Sequence, residues 1–315
     1  MNKPKPLFLY QGYIICLTII FLWIFTVGGL YAQDMESPRK ISDLGLPFLN
    51  GEVKTYYSNN FPERAAYLQE FIEEASYYLR KPEILGVKLD LGLAVLDRED
   101  WERWTRMPYG MAHIQLGESP VAIMPATKDN ILVNGALENK NQVSEEIIER
   151  LEYIGFSYED ATLVMFMDLL GVHEIGHIYS EAYETWPTEK WLSEFIATYL
   201  AYAFFRESRP KLAQLWDTMM DSMVKMNEHS FTTLADFEEL YVRVGGSNYG
   251  WYQAKFSQRV REVYEKSGIL FMHTLKKSLA ENSEAEEGDP FRLKELDSFS
   301  GGFQEWATGP KGNLK

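Results

Sequence analysis

The sequence predicts an α+β fold in which a small, mostly antiparallel sheet packs on one long helix and a helical subdomain follows. Residues 87–96, 111–116 and 121–124 show the alternating or short apolar runs that are typical of strands. Residues 157–178 carry apolar side chains near helical spacing and open with a serine cap and acidic residues in the first turn. Beyond residue 190 helical patterns follow one another, so we expect the sheet on one side of the long helix and the later helices on the other.

Short elements precede the long helix. In order, we expect a surface lead-in at 33–60, a helix at 62–81, a strand at 87–96, a helix or loop at 97–106, strands at 111–116 and 121–124, a loop at 128–141 and a helix at 144–154.

Behind the long helix we expect helices at 191–205, 211–228, 233–242 and 252–279, with a Gly-containing linker at 245–250 before the last. Residues 280–315 are acidic and contain Gly and Ser, which predicts a mobile tail whose aromatic residues Phe299, Phe303 and Trp306 are the candidates for docking onto the body. The main domain is therefore expected to span residues 61–279.

The composition excludes some classes of function. The 315 residues include 46% hydrophobic and 14% aromatic side chains, enough for a sizeable core. A formal net charge of −15 argues against a nucleic-acid partner, because phosphate binding needs a basic surface. The single cysteine, Cys16, falls in the N-terminal apolar segment, so the folded part has neither a disulfide nor a thiolate metal ligand. Nothing in the sequence indicates the oligomeric state.

The N-terminus looks like a targeting segment. Lys3 and Lys5 precede an apolar run at 13–30, and Ala32 follows it, which predicts a signal peptide over residues 1–32. The alternative is an uncleaved anchor, since 18 apolar residues are nearly enough to span a bilayer. Membrane contact would then be confined to residues 7–30. Both alternatives predict an extracytoplasmic body, whether periplasmic, secreted or membrane-anchored.

The long helix carries an HExxH motif. Positions four apart share a helix face, so His173 and His177 can hold one Zn²⁺ between two imidazole nitrogens. Glu174 is offset by one residue and can reach a water on the metal, the position of a general base. A third ligand is available 17 residues after His177, where Glu194 lies in the next helix. Pro187 between the two helices allows the chain to turn and bring the second helix back antiparallel.

The two motifs together resemble those of the gluzincin metallopeptidases. The segment W-L-x-E-x-x-A is similar to the W-L-N-E-G-F-A pattern of the aminopeptidase-N-like members, through Trp191, Leu192, Glu194 and Ala197. The chain departs from that pattern at Ser193, Phe195 and Ile196, and its spacing between His177 and the glutamate is shorter than in the best-known members.

The resemblance implies a thermolysin-like fold and a zinc peptidase acting on peptides or proteins, with His173, His177 and Glu194 as ligands and Glu174 as general base. It also implies a tyrosine that stabilises the oxyanion, for which Tyr249 and Tyr252 are the candidates, and an edge strand near 109–112 that binds the substrate backbone. The aminopeptidase glutamate is missing from 110–113, which favours an endopeptidase. The alternatives are a non-catalytic zinc-bearing envelope protein and an anchored structural protein with a chance HExxH.

Other polar residues have open roles. Ser193, Thr198 and Asp168 are candidates for orienting the ligands, and the sequence does not rank them. His113 is expected to pack in or on the sheet rather than bind zinc. His229 and His273 are further candidates for the oxyanion donor, with a helix-surface position expected for each.

Overall fold

A computed structural model describes residues 40–227, 229–281 and 289–307, and its fold is α+β, as predicted. The predicted signal peptide or anchor, including Cys16, lies outside the described residues. The described chain is mainly helical, with one five-stranded sheet.

The sheet is mixed, so the prediction of a mostly antiparallel sheet is wrong. Its strands are β1 (Phe48–Leu49), β2 (Lys54–Tyr57), β3 (Gly92–Leu96), β4 (His113–Gln115) and β5 (Val121–Pro125), in the order β1-β2-β3-β5-β4. The three central strands β2, β3 and β5 are parallel, and β1 and β4 pair antiparallel at the two edges. The helix that connects β2 to β3 provides the crossover that a parallel pair requires.

Two of these strands lie in the segment that the sequence analysis treats as a surface lead-in. β1 and β2 have two and four residues, too short for a visible alternating pattern among the prolines and glycines of 33–60. The sheet therefore begins before residue 61. The expected hairpin at 111–124 is present as the antiparallel pair β4–β5.

The helices follow the predicted order with a few differences. They are α1 (Pro62–Leu79), α2 (Arg98–Trp104), α3 (Ile131–Glu138), α4 (Glu145–Tyr153), α5 (Tyr158–Ala182), α6 (Lys190–Ser208), α7 (Pro210–Met226), α8 (Leu234–Leu240), α9 (Gly246–Ser267), α10 (Leu270–Glu281), α11 (Leu293–Phe299) and α12 (Phe303–Ala307).

Three local predictions are wrong for identifiable reasons. The expected loop at 128–141 contains α3, whose start is capped by the Asn130 side chain accepting from two backbone N–H groups. The expected linker at 245–250 consists of the N-cap residue Gly245 and the first residues of α9. The single helix expected at 252–279 is divided at Gly268, whose φ of 49° belongs to the left-handed region.

The central helix α5 is continuous but not uniformly α-helical. Ser157 caps it as predicted, accepting a hydrogen bond from the backbone N–H of Asp160. The segment Val164–Leu169 is π-helical, and the HExxH motif follows in the α-helical part. Among the described residues, α5 is the helix whose length and apolarity suffice to cross a bilayer, and 72% of its most apolar window is buried inside the protein.

Helices α5 and α6 pack against each other at unusually short range. A Cβ placed on Gly176 of α5 would lie 2.6 Å from the carbonyl oxygen of Ala197 in α6, closer than real Cβ atoms approach any atom. Glycine therefore permits this backbone contact, which brings the HExxH motif beside the helix of Glu194. On the other side of α5, Gly171 lies against Ile72 of α1 and Met124 of β5.

The described part of the C-terminal segment is docked, which corrects the prediction of a mobile tail over its whole length. Phe303 in α12 is fully buried against Trp191 and Phe195 of α6. Arg292, which precedes α11, donates to Glu189 at 2.8 Å, and both side chains are at most 7% exposed. The aromatic residues of this segment thus complete the core around the start of α6.

Candidate metal centre

Three side chains converge at the contact between α5 and α6. The Nε2 atoms of His173 and His177 lie 3.3 and 3.6 Å from the same carboxylate oxygen, Oε2 of Glu194. One possible ligand atom from each of the three residues lies within 4.8 Å of the others. The structure therefore brings together the three residues that the sequence predicts as metal ligands.

Burial gives this group an unusual electrostatic setting. Burial alone would raise the pKa of Glu194, but hydrogen bonds and charge from His173 and His177 outweigh it and hold the pKa well below its usual value. Burial raises the pKa of the neighbouring Glu174 to about 7. The charge of His173 lowers this pKa, and the charge of Glu194 raises it, both by less than burial does. Without a metal ion Glu194 is thus held as a carboxylate and the carboxyl of Glu174 keeps its proton more readily than a free one, whereas a bound cation would lower the pKa of Glu174 again.

Both histidines are held by hydroxyl groups of α6. Nδ1 of His173 lies 3.2 Å from Oγ1 of Thr198, and Nδ1 of His177 lies 3.3 Å from Oγ of Ser193. With a metal bound, each Nδ1–H would donate to its hydroxyl oxygen, and Nε2 would give up its hydrogen bond to Glu194 and offer its lone pair to the ion. One helix therefore supplies the carboxylate and both orienting hydroxyls.

The carboxylate of Glu194 is itself held by three donors. Tyr241 and Tyr249 donate through their hydroxyls to Oε1 at 2.7 and 3.1 Å, and Gln253 donates through Nε2 to Oε2 at 3.0 Å. Burial, and next the charge of Glu194, raise the pKa of both tyrosines, so they remain protonated donors. The two tyrosines thus hold the carboxylate oxygen that does not face the histidines, and Gln253 shares Oε2 with them.

Sequence reasoning missed Tyr241 and Gln253. Gln253 lies four residues after Tyr249, on the same face of α9, so helical spacing from the predicted Tyr249 could have found it. Tyr241 has a φ of 48° and a ψ of −122°, a conformation that non-glycine residues rarely adopt and that no sequence signal indicates.

Several predicted candidates lie elsewhere. Tyr252 donates its hydroxyl to the carbonyl oxygen of Thr233 at 2.8 Å and packs among aromatic rings, so it does not join the group. Asp168 binds residues of α1 rather than a histidine.

The remaining histidines also take no part in this group. His113 packs against Trp101, as expected for a histidine of the sheet. His229 stacks on Trp251. His273 shares a hydrogen bond with the hydroxyl of Tyr183.

The donor set fits a divalent metal ion such as Zn²⁺. In a tetrahedral zinc site with bonds of about 2.0–2.1 Å, neighbouring donor atoms lie about 3.3 Å apart. The observed separations of 3.3 and 3.6 Å are close to that value before any ion is placed. Two imidazoles and one carboxylate leave a fourth position open, as catalytic rather than structural zinc sites do.

Comparison of the chain with protein-family models, curated proteins and solved structures finds no match. The likeness to gluzincins therefore rests on the two sequence motifs alone.

Proposed function

We propose that this protein is a zinc-dependent peptidase. The observation that carries the proposal is the convergence of His173 Nε2, His177 Nε2 and a carboxylate oxygen of Glu194, all in one buried group. Glu174 follows His173 directly and is itself buried, with a pKa of about 7. A metal site with one adjacent, unligated carboxyl is the arrangement that metal-assisted hydrolysis requires.

The residues have separate roles in this proposal. His173, His177 and Glu194 hold the ion, which when bound supplies Lewis acidity and lowers the pKa of a water molecule. Glu174 removes a proton from the attacking water and returns it to the amine that leaves when the peptide bond breaks. Of the two tyrosines considered from the sequence, Tyr249 is the one within reach of the centre. Its single O–H is donated to Oε1 of Glu194, so it would serve the oxyanion only by giving up that bond.

The same geometry suggests how a peptide would bind. β4 is an edge strand of the sheet, pairing with β5 on one side. It also contacts the HExxH part of α5. An extended substrate chain that adds to this edge would run past the metal centre. Trp186 is 42% exposed, with its ring 5.8 Å from that of His177, and offers an apolar contact at the rim. The absence of the aminopeptidase glutamate from 110–113 favours cleavage within a chain. The site of action proposed from the N-terminus is outside the cytoplasm.

The proposal is tested by metal content and cleavage together. The purified protein should bind one zinc ion per chain, and Glu194→Ala should lose it or bind it much more weakly. Glu174→Gln should keep the ion but lose cleavage of a peptide library, because the amide cannot accept the proton of the attacking water.

Two outcomes would redirect the proposal. A protein that holds no ion after zinc loading and is indifferent to a chelator has no metal centre, and the peptidase function is then wrong. A protein that binds one zinc ion but cleaves no peptide in the library would be the non-catalytic zinc-bearing binding protein considered as the alternative.

A further inference from the structure

The π-helical segment of α5 determines which way the HExxH motif faces. Val164–Leu169 ends four residues before His173. A π turn closes its hydrogen bonds five residues apart rather than four, so the segment accommodates about one more residue than an α-helix would. One residue corresponds to a rotation of about 100° about the helix axis. Conversion of the segment to α-helix would thus turn the motif away from Glu194 relative to the first half of α5.

The side chain of Arg64 in α1 forms hydrogen bonds to two consecutive residues of this segment. Arg64 donates through Nη1 to Oδ1 of Asp168 at 2.6 Å and through Nη2 to the backbone carbonyl oxygen of Met167 at 2.5 Å. Tyr67, three residues later on the same face of α1, donates its hydroxyl to Oδ2 of Asp168 at 3.0 Å. Asp168 therefore has both oxygens engaged by α1, and the helix backbone beside it is engaged too.

These contacts are strong enough to hold a backbone conformation. The side chains of Arg64 and Asp168 are 20% and 10% exposed, so the ion pair is partly shielded from water. Hydrogen bonds between charged groups are roughly twice as strong as neutral ones, and the planar guanidinium fixes the direction of both of its bonds. Neither residue contacts His173, His177 or Glu194 in the hydrogen bonds described above. We therefore expect their effect on the centre to pass through the backbone of α5.

We infer that Arg64 is a positioning residue for the metal centre. It holds the π segment of α5 and, through it, the rotation at which His173 and His177 face Glu194. The inference rests on the proposed function, because the geometry of the two histidines is read out most directly by the metal they bind.

The test compares two arginines that α1 and its C-cap carry. Arg64→Ala removes the hydrogen bonds to the π segment. Arg80→Ala is the control: it removes the ion pair with Glu52, which has the same 2.6 Å N–O distance as that of Arg64 with Asp168 but lies away from the π segment. Arg64→Lys keeps the charge but cannot donate in two fixed directions. Zinc affinity of each full-length protein is measured by chelator competition, and amide hydrogen exchange is measured on the metal-free proteins.

The expected result is a pattern rather than a single loss. Arg64→Ala should weaken zinc binding tenfold or more, within the range of about 10–100-fold found for groups that orient metal ligands. The zinc affinity of Arg64→Lys should lie between those of Arg64→Ala and the parent, and the zinc affinity of Arg80→Ala should stay within twofold of that of the parent. Amides between Val164 and His177 should exchange faster only in the Arg64 variants. If Arg64→Ala does not fold, the comparison is made between Arg64→Lys and Arg80→Ala.

Two results would overturn the inference. One is zinc affinity in the Arg64 variants within twofold of that of Arg80→Ala. The other is equal exchange over residues 164–177 in the Arg64 and Arg80 variants. A parent protein that binds no zinc would instead overturn the proposed function, and the exchange comparison would then decide the inference alone.

Discussion

Replacement of Gly176 by alanine tests whether the contact between α5 and α6 assembles the metal centre. The added Cβ would lie 2.6 Å from the Ala197 carbonyl oxygen and 3.0 Å from its Cα. Both atoms belong to backbone, so no side-chain rotation relieves the clash. The two helices must separate, and this separation moves His173 and His177 away from Glu194.

The size of the movement follows from the same distances. Ordinary contact begins near 3.4 Å, so the two backbones must part by about 0.8 Å along this line. Zinc ligands tolerate deviations of about 0.2 Å, and we therefore expect zinc binding to weaken at least tenfold, or by about 1.4 kcal/mol. Overpacking costs about 1–3 kcal/mol of folding stability, and the higher helix propensity of alanine offsets about 1 kcal/mol of it.

Gly135→Ala is the matched control, because Gly135 also lies within a helix but a Cβ there meets no atom within 4 Å. In urea titration the free energy of unfolding of this variant should rise by up to about 1 kcal/mol, and its zinc affinity should stay unchanged. Chelator competition and urea titration on both variants separate the effects on affinity and stability. A Gly176→Ala protein that binds zinc within twofold of the parent would refute the reasoning.

Two further predictions concern polar groups. Tyr241→Phe and Tyr249→Phe should each weaken zinc binding by about 10–100-fold, because Glu194 loses a hydrogen-bond donor. Tyr252→Phe is the control and should leave zinc binding unchanged. An equal loss of zinc affinity in all three variants would contradict this assignment. Burial raises the pKa of Asp217 from 3.8 to about 6. The folded state therefore binds this proton more tightly, and the associated stability is present below pH 3.8 and lost as pH rises through about 6, by at most about 3 kcal/mol. Asp217→Asn should remove that part of the pH dependence in urea unfolding at pH 4 to 8, and identical curves for parent and variant would disprove it.

The sequence was most informative where a single helix determines the geometry. His173 and His177 share a face by helical spacing alone, and Ser157 caps their helix by a local hydrogen bond. Ser193 and Thr198 could be proposed as orienting residues because they flank Glu194 on the same helix. In each case the relevant contact is set by sequence neighbours, and the periodicity of an α-helix is known in advance.

Prediction failed where contacts join distant parts of the chain. Tyr241 contacts Glu194 through a rare backbone conformation that no pattern in the sequence predicts. Asp168 was considered a partner of the histidines, but the π segment and α1 direct it to Arg64. The parallel pairing of β2 with β3 depends on the crossover by α1, and short strands carry too few residues to specify their direction.

The docked C-terminal segment bears on how the protein is synthesised. Trp191 and Phe195 flank Glu194 in α6 and pack on Phe303, which leaves the ribosome about a hundred residues later. At about 5–20 residues per second, translation delays this partner by on the order of 5–20 s. During that interval the helix that carries the third ligand lacks part of its core, and Glu189 lacks its Arg292 partner, although all three ligands are already made. The packing around the start of α6 is thus complete only after Phe303 has been synthesised.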